Sequence, residues 1–166
     1  MTRTAIVSAL QEELAAVLDL MPDEQNTVVA GRAFWQGHLH GHEVVAVLSG
    51  IGKVAAATTA TVLIERFGVQ RILFTGVAGG LGPGVGVGDV VVADSFMQHD
   101  MDASPLFPRY EVPGCGTAVF HADPVLVAAM ARAVQATLAD LPQVLAPGVV
   151  EAFALHGPRL HQGLLI

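Results

Sequence analysis

Arg71-Ile72-Leu73-Phe74-Thr75-Gly76-Val77-Ala78-Gly79-Gly80-Leu81 is an apolar run that empties into small, uncharged residues. Its first half reads as a buried strand over residues 71–75, because β-branched and large apolar side chains suit a pleated, covered surface. Its second half holds three glycines in seven residues. Glycines at a strand end let a ligand approach the backbone and leave the chain free to aim its N–H and C=O groups. Open α/β sheets bind ligands outside the carboxyl ends of their strands. The stretch therefore predicts a small-molecule site at the end of this strand.

Outward from it, the pattern alternates strands with helices. Residues 4–9 read as a short buried strand and 12–20 as a helix with Leu14, Val17 and Leu18 at helical spacing, stopped by Met21-Pro22-Asp23. Residues 28–35 and 43–48 read as strands around a turn region at 37–42. Residues 53–67 form a helix whose apolar face is expected to comprise Val54, Ala57, Thr61, Ile64 and Phe67, closed by Gly68. A further strand is expected at 89–93, leaving the glycine-rich turn 82–88. Residues 95–116 hold three prolines and are expected to be a long loop, a length usually tied to function in a compact domain. Asp123-Pro124 should cap a helix running to about residue 138. Residues 141–148 read as irregular and 149–155 as a strand. The order predicts a single α/β domain over residues 1–166, a mixed twisted sheet flanked by helices. Leu164-Leu165-Ile166 reads as the opening of another buried strand, so the domain is expected to be incomplete at its C-terminus.

Composition narrows the function classes. The 166 residues are 52% hydrophobic and 14% charged, enough to bury a core. A net charge of -7 argues against a nucleic-acid or anionic-membrane surface. No stretch resembles a signal peptide. The longest apolar candidate, residues 44–64, is interrupted by Ser49-Gly50, Gly52 and Lys53 and falls short of a membrane span. The expectation is a cytoplasmic protein with no membrane partner. The single cysteine, Cys115, excludes an internal disulfide framework and reads as structural or incidental. His38, His40 and His42 alternate along a strand direction, the spacing of a metal face. Placed at a hairpin turn and read as having no acidic or cysteine partner, they are expected to be solvated, and neither metal nor cofactor is expected. His121, His156 and His161 form no constellation in the sequence.

Three segments act together: Ala9-Leu10-Gln11-Glu12-Glu13-Leu14, Leu48-Ser49-Gly50-Ile51-Gly52-Lys53-Val54-Ala55-Ala56-Ala57, and Phe74 to Leu81 followed by Val87-Gly88-Asp89-Val90-Val91. In this order and spacing the chain resembles the nucleoside phosphorylase and hydrolase superfamily. Within it, the likeness is nearest to the 5′-methylthioadenosine/S-adenosylhomocysteine nucleosidases. The resemblance extends over residues 6–127. It implies hydrolysis of the N-glycosidic bond between adenine and a 5′-thio-substituted ribose, in methionine salvage and methyl-cycle recycling. Such a bond breaks with oxocarbenium-like charge on the sugar. The enzyme must then hold a water, stabilise the cation and protonate the departing base.

The resemblance assigns residues to these tasks. Glu13 matches the glutamate that holds and polarises the attacking water. Taken by itself, an acid in a first helical turn is equally well explained by the helix dipole. Leu10 and Ile51 match positions lining the nucleoside. Ala78 and Gly79 match the backbone strip against the purine, and Val77 stands where many relatives carry serine. The loop 96–116 is implied to cross a homodimer interface, with Leu106, Phe107 and Pro113 covering the 5′-alkylthio group of the partner's site. Lys53 lacks the glycine spacing of a phosphate-binding loop. A phosphorylase arginine would fall at Phe74, and Glu12 and Glu13 would repel an anion, so water is favoured over phosphate as nucleophile. The family's leaving-group acid and its ribose-gripping Met-Glu pair are implied to lie C-terminal to Ile166. The rivals are a related purine nucleosidase such as a futalosine hydrolase, a phosphorylase, and an inactive nucleoside-binding fragment.

Overall fold

A computed structural model describes residues 2–155 and 157–166, with the backbone alone described at 142–144 and 147. It comprises two compact units, Met1–Gly79 and Gly80–Ile166. The first contains β1 (Thr4–Ser8), α1 (Gln11–Leu18), β2 (Gln25–Val29), β3 (Arg32–Leu39), β4 (His42–Leu48), α2 (Lys53–Phe67) and β5 (Arg71–Phe74). Its sheet has the order β2-β3-β4-β1-β5. β1 runs parallel to both β4 and β5, while β2, β3 and β4 pair antiparallel.

Alternation along the central strands builds a core on each face of this sheet. Ala5 and Val7 of β1 point with Val45 and Val47 of β4 toward Leu63 and Phe67 of α2. Ile6, Val44 and Ala46 point the other way, onto Leu14 of α1 and Met21. Phe34 is fully buried and stacks on Phe67 with ring centroids 4.8 Å apart.

Several boundaries differ from expectation, each for a local reason. The strand expected at 28–35 is two strands joined at Ala30-Gly31, where both residues have positive φ (50° and 76°). That is the geometry of a two-residue hairpin turn, which alanine does not advertise. The turn expected at 37–42 shrinks to His40-Gly41, again with both φ positive, so Gly37 and His38 are strand residues. The buried face of α2 is Thr59, Leu63 and Phe67 rather than the expected stripe. Of that stripe, Val54, Ala57, Thr61 and Ile64 are exposed and only Phe67 is covered. Alanine and threonine lie all around this helix, so its apolar pattern supports two orientations.

The second unit holds β6 (Val90–Met97), β7 (Val119–His121), α3 (Pro124–Val144), α4 (Pro147–Ala152) and β8 (Leu160–Leu165). Its sheet has the order β7-β6-β8, with β8 parallel to β6. The Asp123 carboxylate accepts the N–H groups of Val125 and Leu126, which caps α3 as expected. The strand expected at 149–155 is instead the short helix α4, opened by Pro147. The strand foreseen at the last residues is β8. By length and composition, residues Pro124–Leu141 of α3 are apolar enough to cross a membrane (mean hydropathy 1.3), which the reading of the sequence passed over. Its half-buried residues Leu126, Val127, Ala131, Val134, Leu138 and Leu141 recur at helical spacing, and the helix packs on β6 and β8. That one-sided pattern is the pattern of a helix lying on a sheet.

Part of the long loop is strand, since β6 reaches Met97. The rest is closed by its own bonds. Tyr110 N–H donates to Met101 O at 2.9 Å, Val112 bridges Thr117, and Asp102 accepts both the N–H and the hydroxyl of Ser104. Leu106 is nonetheless 85% exposed.

The first unit depends on the contact between α2 and the sheet. Phe34→Ala should lower its stability by about 3–5 kcal/mol, the usual loss for a buried phenylalanine, measured by denaturant unfolding. Glu65→Gln, at an exposed position of α2, should cost under about 0.5 kcal/mol.

Candidate active site

Because β1 runs parallel to its neighbours β4 and β5, the carboxyl ends of all three lie on one edge of the sheet. Three turns leave from this edge: Ala9-Leu10 into α1, Ser49 to Gly52 into α2, and Thr75 to Gly79. Backbone bonds tie them together. Ser49 N–H donates to Ser8 O at 2.8 Å and Thr75 N–H to Val7 O at 2.9 Å. The Arg32 guanidinium Nε donates to Ser49 O at 3.2 Å.

Glu13 lies in the first turn of α1 and its carboxylate folds back over this edge. Oε2 accepts the N–H groups of Ala9 (3.0 Å) and Leu10 (2.9 Å), and Oε1 accepts the N–H of Val77 (3.0 Å). The bond to Leu10 is the return half of a capping box. The other half is absent, because leucine at the N-cap has no acceptor. A carboxylate offers about four acceptor positions, and three are filled by backbone donors. The donors of Leu10, then Val77, hold the Glu13 carboxyl below its ordinary value of 4.5 against the opposing effect of burial, with Ala9 adding the least. The group is an anion with one acceptor position left. It is well made to orient a water and to stabilise nearby positive charge, and poorly made to take a proton outright.

Glu12 has no such role in the structure, so of the two acids Glu13 is the one turned toward the strip. The structure thus brings Glu13, Leu10 and Val77 into direct contact, with Ala78 and Gly79 following Val77 in the chain. Ile51 sits between Gly50 (φ 76°) and Gly52 (φ 101°), in the turn leaving the neighbouring strand. The side chains of Ile51 and Val77 are 80% and 83% exposed. Both are large apolar side chains left bare at the carboxyl edge of the sheet, Val77 beside the Glu13 carboxylate. Leu106, Phe107 and Pro113 belong to the second unit, where Leu106 and Pro113 are exposed and Phe107 is half-buried.

Two histidines have acidic partners that the sequence did not show, although His38 stays more than half exposed. His38 has an acidic partner after all: its Nδ1 lies 2.7 Å from Asp23 Oδ2, and its N–H donates to Asp23 Oδ1 at 2.9 Å. Fourteen residues separate them in the chain, and the hairpin closes the gap. The backbone donor of His38, followed by its ring, holds Asp23 below the ordinary carboxyl range. His161 lies 2.7 Å from Asp89 Oδ2 through its Nε2. The Asp89 side chain, 6% exposed, also accepts the N–H groups of Gly86 and Arg159. These donors, Gly86 first, place its carboxyl far below the ordinary value. Asp89 so pins the glycine-rich turn to the start of β8. His156 lies outside the described residues. Among the described residues, no group of three or more His, Cys, Asp or Glu is placed to hold a metal ion.

The model of the phosphorylase superfamily matches residues 3–166. The 5′-methylthioadenosine/S-adenosylhomocysteine nucleosidase of Bacillus thuringiensis (strain Al Hakam) is 39% identical over 135 residues, which is 81% of this chain and 58% of the relative. The crystal structure of the Neisseria meningitidis enzyme of the same name, in complex with methylthio-immucillin-A, superposes with a TM-score of 0.83 at 29% identity. That match covers 99% of this chain and 63% of the other. The Colwellia psychrerythraea 34H nucleosidase in complex with adenine gives a TM-score of 0.80 at 33% identity, over 98% and 60%. The chain thus spans about three-fifths of the length of these relatives. Over that length, the mixed α/β fold expected from the sequence is theirs.

The lowered Glu13 value has a consequence for stability. A carboxyl depressed in the folded state adds stability that is complete above its unfolded value and lost as pH falls through the folded one. The wild type should therefore lose stability below about pH 5 more steeply than Glu13→Gln. Denaturant midpoints measured at a series of acid pH values check this.

Proposed function

The chain belongs to the phosphorylase superfamily, and from that membership we propose that it supplies the water-handling side of an N-glycosidic hydrolase site for purine nucleosides. The proposed substrates are 5′-methylthioadenosine and S-adenosylhomocysteine, cleaved to adenine and the 5′-thioribose product. The observation that carries this reading is the Glu13 carboxylate, fixed by three backbone donors beside the Val77-Ala78-Gly79 strip.

In this reading the purine lies along the backbone of Val77, Ala78 and Gly79, and the apolar side chains of Ile51 and Leu10 flank the nucleoside. The remaining acceptor position of Glu13 takes one hydrogen of a water aimed at the anomeric carbon. As the bond to adenine lengthens, positive charge grows on the sugar ring and the fixed anion stabilises it. The attacking water gains acidity as it bonds to carbon. Its proton passes to Glu13 only then, when the balance of basicity has reversed. Val77 offers no hydroxyl to a leaving-group acid, so the support of that acid differs from relatives with serine there.

Phosphate is a poor guest for the same arrangement. An ionised Glu13 repels it, and Phe74 stands where a phosphorylase would present an arginine. The reading extends to a cytoplasmic homodimer serving methionine salvage. The bare Val54 and Ile64 side of α2 and the exposed Leu106 of an otherwise self-bonded loop support such a partner surface. Leu106, Phe107 and Pro113 are then the residues that cover the alkylthio group across the interface.

Adenine release from 5′-methylthioadenosine tests the reaction. In the protein that carries this chain, release should proceed equally with and without phosphate and yield the free sugar. Glu13→Gln should lower kcat by about 10²–10⁴-fold and leave nucleoside binding measurable. Sugar 1-phosphate as the product would overturn the hydrolase reading, and near-normal turnover by Glu13→Gln would remove Glu13 from it.

A further inference from the structure

Gly76 lies between the end of β5 and the N–H that Glu13 captures. A β-carbon built at this position would stand 2.9 Å from Glu13 Oε1, 3.1 Å from Cδ and 3.1 Å from Oε2. Real β-carbons essentially never show the first of these distances and seldom the other two, and the whole carboxylate is involved rather than one edge of it. Gly76 does not have the positive φ that demands glycine. The requirement at this position is therefore one of space. Of the other strip glycines, Gly79 has nothing within 4 Å of its would-be β-carbon and Gly80 would meet Val85 at 2.8 Å, so Gly76 alone of the three faces the Glu13 carboxylate.

We propose that Gly76 is a positioning residue: its missing side chain forms the floor on which the Glu13 carboxylate lies, and any larger residue there turns that carboxylate off the Val77 N–H. The seat has two parts. The N–H groups of Ala9, Leu10 and Val77 fix the direction of the oxygens, and the bare α-carbon of Gly76 fixes their depth. The atoms that a new side chain would meet are the far end of a flexible glutamate, not backbone. The sheet can thus keep its form while the carboxylate moves. The catalytic meaning of this seat rests on the proposed role of Glu13, but its existence does not.

The test separates the two. In a pH titration followed by NMR, the Val77 amide of the wild type should track the Glu13 carboxyl, which should titrate below its ordinary value. In Gly76→Ala the carboxyl should titrate closer to that ordinary value and the Val77 amide should no longer follow it, while Gly79→Ala leaves both as in the wild type. Turnover by Gly76→Ala should fall about 10²-fold, as for a misplaced reacting group, with the loss in kcat and the acid limb of the pH profile moved upward. A stability cycle covers poor folding. Gly76→Ala should lower Tm in the wild type and lower it far less, or not at all, in a Glu13→Ala background, because the three nearest atoms to the new β-carbon all belong to Glu13. An unmoved Glu13 titration in Gly76→Ala, or an equal Tm loss in both backgrounds, overturns the seat. A shifted titration with unchanged turnover keeps the seat and contradicts the proposed function.

Discussion

Three backbone N–H groups from two separate turns converge on one carboxylate, and the candidate site is organised by that convergence. It requires β1 to lie between two parallel neighbours, so that the turn into α1 and the turn after β5 leave the same edge of the sheet. It also requires β1 and β4 to be covered on both faces. Their alternating residues feed two cores, one under α1 and one under α2, and the strand ends are held at fixed height. The apolar face of α1 docks through Leu14, one residue beyond Glu13, so the packing of the helix and the aim of the carboxylate are settled by adjacent positions.

The electrostatics follow from the same bonds. Backbone amides are fixed dipoles that need no reorganisation when charge develops beside them. Held by three of them, Glu13 is a stronger anion and a weaker base than a free glutamate. That balance suits a reaction whose transition state is a sugar cation and whose nucleophile needs orientation before it needs deprotonation. The second unit has its own polar anchor in Asp89, which serves the glycine-rich turn and β8 in a comparable way. There the partners are Arg159 and His161, and the result is a tied turn rather than an open acceptor.

Much of this was legible in the sequence, and the rest was hidden for physical reasons. The strand at 71–74, the small-residue strip and the helix at 53–67 declare themselves through apolar runs and glycine. The expectation that this strand is buried fails, because β5 is the edge of its sheet and is largely exposed. Glu13 declared itself only through its motif, because an acid in a first helical turn has an ordinary explanation. The hairpin at Ala30-Gly31 was hidden because alanine seldom takes a positive φ. The orientation of α2 was hidden because alanine and threonine surround it. The Asp23–His38 and Asp89–His161 pairs join residues far apart in the chain, which spacing cannot report. The role of Gly76 was masked by its own neighbours: among so many glycines, one kept for space looks like one kept for flexibility.

The central claim is that Glu13, in its seat, meets the reacting water. A crystal structure with a non-hydrolysable 5′-methylthio nucleoside analogue measures this directly. The account predicts the base along Val77-Ala78-Gly79 and a water within about 2.6–3.2 Å of a Glu13 oxygen, on the face of the sugar opposite the base. A nucleoside bound with its anomeric carbon turned away from Glu13, or an anion occupying the place of that water, would contradict it.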